Sequence, residues 1–219
     1  PPLARTYRDH LDALLPSDVV TSIEWPTRHE FIGDLILIKL DDDQRRYGEA
    51  IGQALLRQHS RTRAIFEDFG VTGTFRVRNL KLLAVREGQE STTRTQILEN
   101  GHYLWTDPAT VYYSSRLSHE REGTLACAAK LRNEVGRPLT VCDPYAGVGP
   151  SLMPLISESD LIGELFAGDL NPAAVDFLQE NISHTSATIE CTDARLLRDR
   201  PEMCGKYDLL LVNIPHDTI

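Results

Sequence analysis

The chain has 219 residues, a hydrophobic content of 41% and a formal net charge of −9. This length allows one large domain or two small ones. No apolar run approaches the ~20 residues that cross a bilayer, so we expect no membrane segment, no secretory leader and a cytoplasmic location. The four cysteines are widely spaced and form no CxxC pair, which indicates reduced thiols rather than disulfides or a metal site.

The acidity is unevenly distributed along the chain. Residues 121–219 carry 8 basic and 15 acidic side chains, whereas residues 1–120 carry 15 basic and 17 acidic ones. Within residues 57–86 there are seven basic side chains and two acidic ones. The net charge argues against indiscriminate nucleic-acid binding, but this local excess is compatible with a polyanion held at one face. The alternative is an ordinary solvated surface of arginines.

The first 108 residues predict a short segment followed by an α+β domain. Residues 7–15 read as a helix, 31–40 as a buried strand, and 46–59 as a helix with one apolar stripe. Further strands are expected at residues 74–78, 80–85, 94–98 and 102–105. Alternation over the first of these places Arg76 and Arg78 on one strand face. We predict an N-terminal segment over residues 1–19 and a mainly antiparallel α+β domain over residues 20–108.

A linking region is predicted over residues 109–136. Its main element is a helix from about residue 118 to residue 134, with Ser118 as the candidate N-cap. Gly136 and Pro138 end this helix. The region joins the first domain to a second domain over residues 137–219, and its helix is expected to lie against the ligand crevice of that second domain.

The second domain alternates between short apolar runs and helical segments. Four apolar runs predict strands, at residues 139–142, 162–168, 187–191 and 207–212. Each run ends on a polar residue, in order Asp143, Asp169, Asp193 and Asn213. In an open parallel sheet, the carboxyl ends of the strands line the ligand crevice. We therefore predict a Rossmann-like α/β domain with its crevice at these four residues.

The polar residues at the strand ends favour a cationic ligand that carries a ribose. Gly147 and Gly149 form a turn that lets a ligand approach the backbone, but Leu152 replaces the third glycine of the dinucleotide fingerprint. Three carboxylates and an amide suit a sulfonium, a ribose diol and an adenine amine better than a pyrophosphate. S-adenosylmethionine has these groups and no phosphate. The alternative is that the aspartates only cap the helices that follow.

Together these segments resemble the tRNA guanine N1-methyltransferase family of the archaeal and eukaryotic type, which modifies the guanosine just 3′ of the anticodon, position 37. The similarity follows the family's order at residues 31–35, 75–78, 99–101, 111–121, 143–150, 169–172, 192–194 and 213–216. Tyr145 stands where the family usually has Phe. The chain stops six residues after Asn213, whereas the family's domain continues, so the resemblance implies a class I methyltransferase domain that is incomplete at its C-terminus.

The resemblance implies roles for three catalytic residues. Glu120 would remove the N1 proton as base. Arg78, with Arg76 as the next choice, would stabilise charge on O6. Asn213 would position the guanine or the methionine portion of the cofactor. The alternatives are a Glu120–Arg116 pair on one helix, an exposed Arg78 on its strand, and an Asn213 that only ends a strand.

The resemblance also implies the residues that hold S-adenosylmethionine and tRNA. Asp169 would bind the ribose hydroxyls, Asp193 the adenine amine, and the backbone at Gly147 and Gly149 the methionine end. The remaining cofactor contacts are expected at Asp143, Tyr145, Ala146, Leu170, Asn171, Ala194, Asn213 and Pro215. The tRNA contacts are expected at Arg76, Arg78 and Arg116. We expect a monomer without a protein partner.

Two other functions stay open at this point. A related enzyme of the wybutosine pathway transfers the aminocarboxypropyl arm of the same cofactor, so methylthioadenosine rather than S-adenosylhomocysteine would be its product. A fragment that binds the cofactor or RNA without turnover is the other alternative.

Overall fold

The computed structural model describes residues 6–183 and 186–213, except for the side chain of Arg116. The described residues form two compact units. The first contains the residues up to Ile97 together with Asp107–Ala109, and the second contains Leu98–Thr106 together with the residues from Thr110 onward. None of the described helices is long and apolar enough to cross a membrane.

The first unit is built on a four-stranded sheet in the spatial order β1-β2-β3-β4. Its strands are β1 (His29–Ile32), β2 (Leu35–Ile38), β3 (Ala64–Thr72) and β4 (Val77–Val85). The outer pairs β1–β2 and β3–β4 are antiparallel, whereas β2 and β3 are parallel. The sheet is therefore mainly antiparallel, as the sequence predicts.

Helices cover one face of this sheet and form the core of the first unit. They are α1 (Tyr7–Leu11), α2 (Ser17–Ser22), α3 (Asp42–Arg45) and α4 (Gly48–Gln58). The apolar stripe of α4 includes the fully buried Ile51 and Leu55, which belong to one core cluster with Ile36 and Ile65 of the sheet. The helix connects the parallel strands β2 and β3, as a crossover must.

Two predicted strands of the first unit differ from the structure at left-handed backbone positions. The predicted strand at 31–40 is a β1–β2 hairpin, because Gly33 has φ of +57° and the chain turns there. A Cβ at Gly33 would also lie 2.2 Å from Thr95 Oγ1. The predicted strand at 74–78 is wrong over its first half, since Arg76 has φ of +53° in the turn between β3 and β4. Arg76 and Arg78 therefore do not share one strand face.

The second unit is built on four parallel strands in the order β10-β7-β8-β9. These strands are β7 (Leu139–Asp143), β8 (Ile162–Asp169), β9 (Thr188–Cys191) and β10 (Leu209–Leu210). A separate hairpin consists of β5 (Thr95–Glu99), whose first three residues belong to the first unit, and β6 (His102–Thr106). The chain leaves β7 towards β8 and β9, and later returns to the other side of β7 as β10. The switch point of this sheet therefore lies between β7 and β10.

The helices of the second unit pack around buried residues of these strands. They are α5 (Ser118–Val135), α6 (Leu152–Ser157), α7 (Pro172–Asn181) and α8 (Ala194–Leu197), with 3₁₀ turns at Ser115–Leu117 and Pro201–Met203. Leu139, Leu155, Leu165 and Leu178 are fully or almost fully buried in one core cluster. The α/β architecture predicted from the sequence is confirmed.

The start of α5 corrects one prediction. Ser118 is the first helical residue and not the N-cap, because the 3₁₀ turn places Leu117 at the cap position. The hydroxyl of Ser118 instead donates a hydrogen bond to Asn100 Oδ1 over 3.3 Å. The end of α5 follows the prediction, since Gly136 has φ of +76° and its N–H donates to the carbonyl of Arg132.

Candidate functional site

The turn after β7 (residues 145–149, the glycine turn) is held against the end of β8 by hydrogen bonds that its backbone N–H groups donate. The Ala146 N–H donates to the Gly168 carbonyl over 2.8 Å, and the Gly147 N–H donates to Asp169 Oδ2 over 2.9 Å. Gly147 and Gly149 both have positive φ, +55° and +91°. The turn therefore needs residues that tolerate left-handed backbone.

The two glycines differ in the space around them. A Cβ at Gly149 would lie 3.0 Å from Leu178 Cδ1, so a side chain there conflicts with the packing of α7. A Cβ at Gly147 would meet no described atom within 4 Å. Gly147 therefore leaves open space above the turn, where a ligand can approach the backbone closely.

Asp143 ends β7 directly beneath the glycine turn and is fully buried. One carboxylate oxygen, Oδ1, accepts a hydrogen bond from the Tyr145 N–H over 3.1 Å. The other, Oδ2, is buried and has no hydrogen-bond partner among the residues that the structure describes. Burial, with a smaller contribution from the charge of Asp169, raises the pKa of Asp143 to about 7, although the hydrogen bond from the Tyr145 N–H acts against this rise. A buried carboxylate oxygen without a hydrogen-bond donor is unfavourable, so a ligand that supplies a donor would stabilise it. A cationic donor would stabilise it most, because it also favours the ionised carboxylate.

Asp169 ends β8 and connects two loops of the site. Its Oδ2 accepts from the Gly147 N–H and its Oδ1 from the Asn171 N–H, each over 2.9 Å. Asn171 in turn caps α7 by accepting from the Ala173 N–H over 3.0 Å. Burial raises the pKa of Asp169, and these backbone hydrogen bonds act against that rise. The carboxylate is thus fixed beside the glycine turn.

Asn213 follows β10 and reaches the other side of the glycine turn. Its side-chain amide donates to Ser151 Oγ over 2.9 Å, just before α6. The structure therefore brings Asp143, Asp169 and Asn213 together at the carboxyl edge of the sheet, at the switch point. Cofactor contacts by Tyr145, Ala146, Leu170 and Ala194 stay predictions, and Pro215 lies outside the described residues.

Asp193 follows β9 and acts as the N-cap of α8, which is the alternative that the sequence left open. It accepts from the Arg195 N–H over 2.9 Å and pairs with the Arg195 guanidinium at 2.5 Å. The hydrogen bonds and charge of Arg195 hold the pKa of Asp193 at about 2. Its expected contact with an adenine amine stays a prediction, and the carboxylate would have to bind that amine alongside Arg195.

Glu120 lies in the first turn of α5 and is exposed. Its backbone carbonyl accepts a hydrogen bond from Thr124 Oγ1 over 3.4 Å, and its carboxylate pairs with no side chain within the described part of the chain. Whether Arg116 pairs with it lies outside the described side chains. The role of Glu120 as base therefore stays a prediction, with its carboxylate open to solvent.

Arg78 takes part in an ion-pair cluster of the first unit. Its guanidinium contacts Asp68 at 2.6 Å and Glu30 at 2.7 Å, and Asp68 is buried. Although burial acts to lower the pKa of Arg78, the two carboxylates outweigh it and hold this pKa above its ordinary value. A role for Arg78 at guanine O6 stays a prediction, and it would have to compete with these partners.

Sequence reasoning missed a buried cluster around Glu99. The Glu99 carboxylate accepts from Tyr113 Oη over 2.5 Å and is ion-paired with Arg121, and both charged residues are 6% exposed. Glu99 and Arg121 both lie in segments that carry the resemblance to the family, residues 99–101 and 111–121, but they are 22 residues apart. No local pattern indicates that they form a pair.

An open parallel sheet with a glycine turn and carboxylates at its switch point defines a Rossmann-like cofactor-binding domain. The chain belongs to the TRM5/TYW2 methyltransferase family. The family model for the TRM5/TYW2 methyltransferase domain matches residues 95–210, and the model for the TYW2 N-terminal domain matches residues 7–91.

Individual relatives agree with this assignment. The chain is 32% identical over 191 residues to tRNA (guanine(37)-N(1))-methyltransferase Trm5b of Pyrococcus abyssi. The aligned region covers 87% of this chain and 53% of that relative. The solved complex of aTrm5 and tRNALeu matches with a TM-score of 0.68 and 26% identity, over 98% of this chain and 60% of that one. Pyrococcus horikoshii TYW2 in complex with MeSAdo shares the fold, with a TM-score of 0.63 and 24% identity over 89% and 64% of the two chains. The chain thus spans about half the length of the first of these relatives.

Proposed function

We propose that this chain carries the cofactor site of an enzyme that transfers a methyl group from S-adenosylmethionine to N1 of guanosine 37 in tRNA. The observation that carries the proposal is the fully buried Asp143, whose Oδ2 lacks a partner among the described residues beneath the glycine turn. The choice of reaction is supported by the relatives named as tRNA (guanine(37)-N(1))-methyltransferases. The neighbouring complex of aTrm5 with tRNALeu supports tRNA as the substrate.

The residues around the glycine turn fit S-adenosylmethionine chemically. The ligand carries an ammonium group and a sulfonium, and the unpartnered Asp143 Oδ2 offers a negative acceptor in a buried setting. Asp169 has lone pairs left for ribose hydroxyls after its two backbone contacts. Open space at Gly147 admits the methionine end. When bound, the cofactor supplies the methyl group.

The chain itself must remove the proton from guanine N1. Glu120 is our choice, because its carboxylate is exposed and engages no described side chain that a substrate would have to displace. A carboxylate that accepts the proton as the new bond forms contributes about 10²–10⁴-fold to the rate. The Asn213 amide, anchored on Ser151, orients the guanine or the methionine portion beside the turn.

The experiment uses the whole natural protein, labelled S-adenosylmethionine and tRNA transcripts with guanosine or adenosine at position 37. We expect transfer only to the guanosine transcript, and a loss of about 100-fold or more in kcat for Glu120→Gln without a change in cofactor Kd. Glu134→Gln is the matched control, because Glu134 is an exposed glutamate at the other end of α5, 4.0 Å from Lys130. Equal transfer to both transcripts, or full activity of Glu120→Gln, contradicts the proposal.

A second candidate is aminocarboxypropyl transfer from the same cofactor. It is favoured by the match of residues 7–91 to the TYW2 N-terminal domain model. The small product of the same reaction mixture decides between the two. S-adenosylhomocysteine supports methyl transfer, whereas methylthioadenosine supports the second candidate.

A further inference from the structure

Glu99, at the end of β5, joins three segments of the second unit. Its Oε2 accepts the hydrogen bond from Tyr113, and its Oε1 is paired with Nη1 of Arg121 in the first turn of α5. Arg121 Nη2 donates to the Ser114 carbonyl over 3.0 Å, and its guanidinium carbon lies 5.6 Å from the centre of the Tyr113 ring. Every charged group of this cluster thus has a partner in a buried setting.

A second contact from the same turn holds α5. Asn100, which follows Glu99, accepts a hydrogen bond from Ser118 Oγ, on the first residue of the helix. The turn is closed by Asn100 and Gly101, with φ of +49° and +82°. The Glu-Asn-Gly segment at 99–101 therefore contacts the start of α5 at two residues, through a hydrogen bond from Ser118 and an ion pair with Arg121.

These two contacts determine the direction in which the Glu120 side chain leaves the helix. Successive residues on an α-helix are rotated by about 100°, so the direction of Glu120 follows from that of its neighbour Arg121. Arg121 is held inward by a buried ion pair, and the loss of one partner of such a pair leaves an uncompensated charge in the interior. The first turn of α5 therefore cannot rotate without breaking this pair.

We propose that Glu99 is a positioning residue that acts through Arg121 and Tyr113 to hold the Glu120 carboxylate in place for removal of the N1 proton. The proposal rests on the proposed function of Glu120 as base. Glu99 touches neither substrate nor cofactor in this proposal. Its effect is on the orientation of Glu120 and so on the chemical step.

A double-mutant cycle on the whole natural protein tests this role, with Glu99→Gln, Glu120→Gln and the double variant. Glu99→Gln alone should lower kcat by about 10–100-fold, the range expected when a reacting group is displaced by about 1 Å. The Kd for S-adenosylmethionine should stay within about twofold of wild type. In the Glu120→Gln background, Glu99→Gln should lower kcat by less than about twofold further, because the group it positions is gone.

Two more variants keep the test decisive. Asp208→Asn breaks an ion pair to Arg137 in the same unit, at 2.8 Å, and should leave kcat unchanged. If Glu99→Gln fails to fold by circular dichroism, Tyr113→Phe removes one hydrogen bond and keeps the ring beside Arg121. It should lower kcat by about threefold to tenfold, again without further loss beyond Glu120→Gln.

The outcomes separate this proposal from the proposed function. If Glu120→Gln is inactive but Glu99→Gln lowers kcat equally in both backgrounds, the role of Glu99 is only structural and the positioning proposal is overturned. Full kcat in both Glu99→Gln and Tyr113→Phe overturns it as well. If Glu120→Gln keeps full activity, the base assignment itself fails, and the positioning proposal falls with it.

Discussion

Replacing Asp143 by Asn should stabilise the ligand-free protein above neutral pH while it weakens cofactor binding. The carboxyl is fully buried, and burial raises its pKa from an ordinary value of 3.8 to about 7. A difference of about 3 pKa units corresponds to roughly 4 kcal/mol between the two protonation states. This is the free energy that ionisation of Asp143 costs the folded protein once the pH is well above 7.

The sign of the pH dependence follows from proton binding. The folded chain keeps the Asp143 proton up to about pH 7, whereas the unfolded chain releases it near pH 3.8. Between these values the folded state binds more protons, so the free energy of unfolding falls as the pH rises from about 4 to about 7. The contribution of the protonated group is present in full below pH 4 and is lost above pH 7.

Asparagine removes this ionisation but adds an amide. Its Oδ1 can still accept from the Tyr145 N–H, whereas its NH₂ group takes the place of the unpartnered Oδ2. An unmet buried donor costs about 1–3 kcal/mol. We therefore expect Asp143→Asn to be about 2 kcal/mol more stable than wild type at pH 8, and no more stable at pH 5.

Urea denaturation at pH 5 and pH 8 measures the stability, and calorimetric titration measures the cofactor affinity. Loss of a charged hydrogen-bond acceptor, worth about 1.5–3 kcal/mol, should weaken S-adenosylmethionine binding by about 10–100-fold. A wild-type unfolding free energy that is flat between the two pH values would refute the reasoning. So would an Asn variant that is less stable than wild type at pH 8.

Three further predictions concern the rest of the site and the first unit. Gly147→Ala should lower the free energy of unfolding by only about 1 kcal/mol, because the new side chain meets left-handed strain but no nearby atom. Gly149→Ala should lower it more, since its Cβ also crowds α7. Thermal denaturation compares the two variants, and a larger loss for Gly147→Ala contradicts the assignment of open space to that residue. Arg78→Met leaves the buried Asp68 without its guanidinium and should cost about 3 kcal/mol of unfolding free energy, so an unchanged denaturation curve counts against the ion-pair cluster. Arg195→Ala removes the surface ion pair of the carboxylate that caps α8, so cofactor affinity measured by calorimetry should rise about twofold. A fall instead means that the arginine itself contributes to binding.

The parts of the fold that depend on local patterns are predictable from the sequence. The apolar runs that become β7 and the second half of β8 stand out because strands buried on both faces are nearly continuous in hydrophobic residues. The helix α4 follows from the apolar spacing over residues 46–59. The glycine turn is visible because few other residues accept its backbone.

Local patterns mislead where a turn interrupts a hydrophobic stretch. Residues 31–40 alternate like one strand, but Gly33 turns the chain, and contacts from Thr95 hold that turn. Arg76 looks like a strand residue, yet it closes the β3–β4 hairpin with positive φ. The first turn is held by tertiary contacts, whereas the second is a local turn in which the Arg76 N–H donates to the Gly73 carbonyl over 3.1 Å.

The sequence by itself determined the strand ends that bear Asp143, Asp169 and Asn213, because each lies at the end of a local apolar run. Only the tertiary structure decided the strand order that gathers them at one edge, and the pairing of Glu99 with Arg121 across 22 residues. Ion pairs and buried carboxylates depend on which distant residues meet and on how much water is excluded there. Neither quantity is contained in the spacing of residues along the chain.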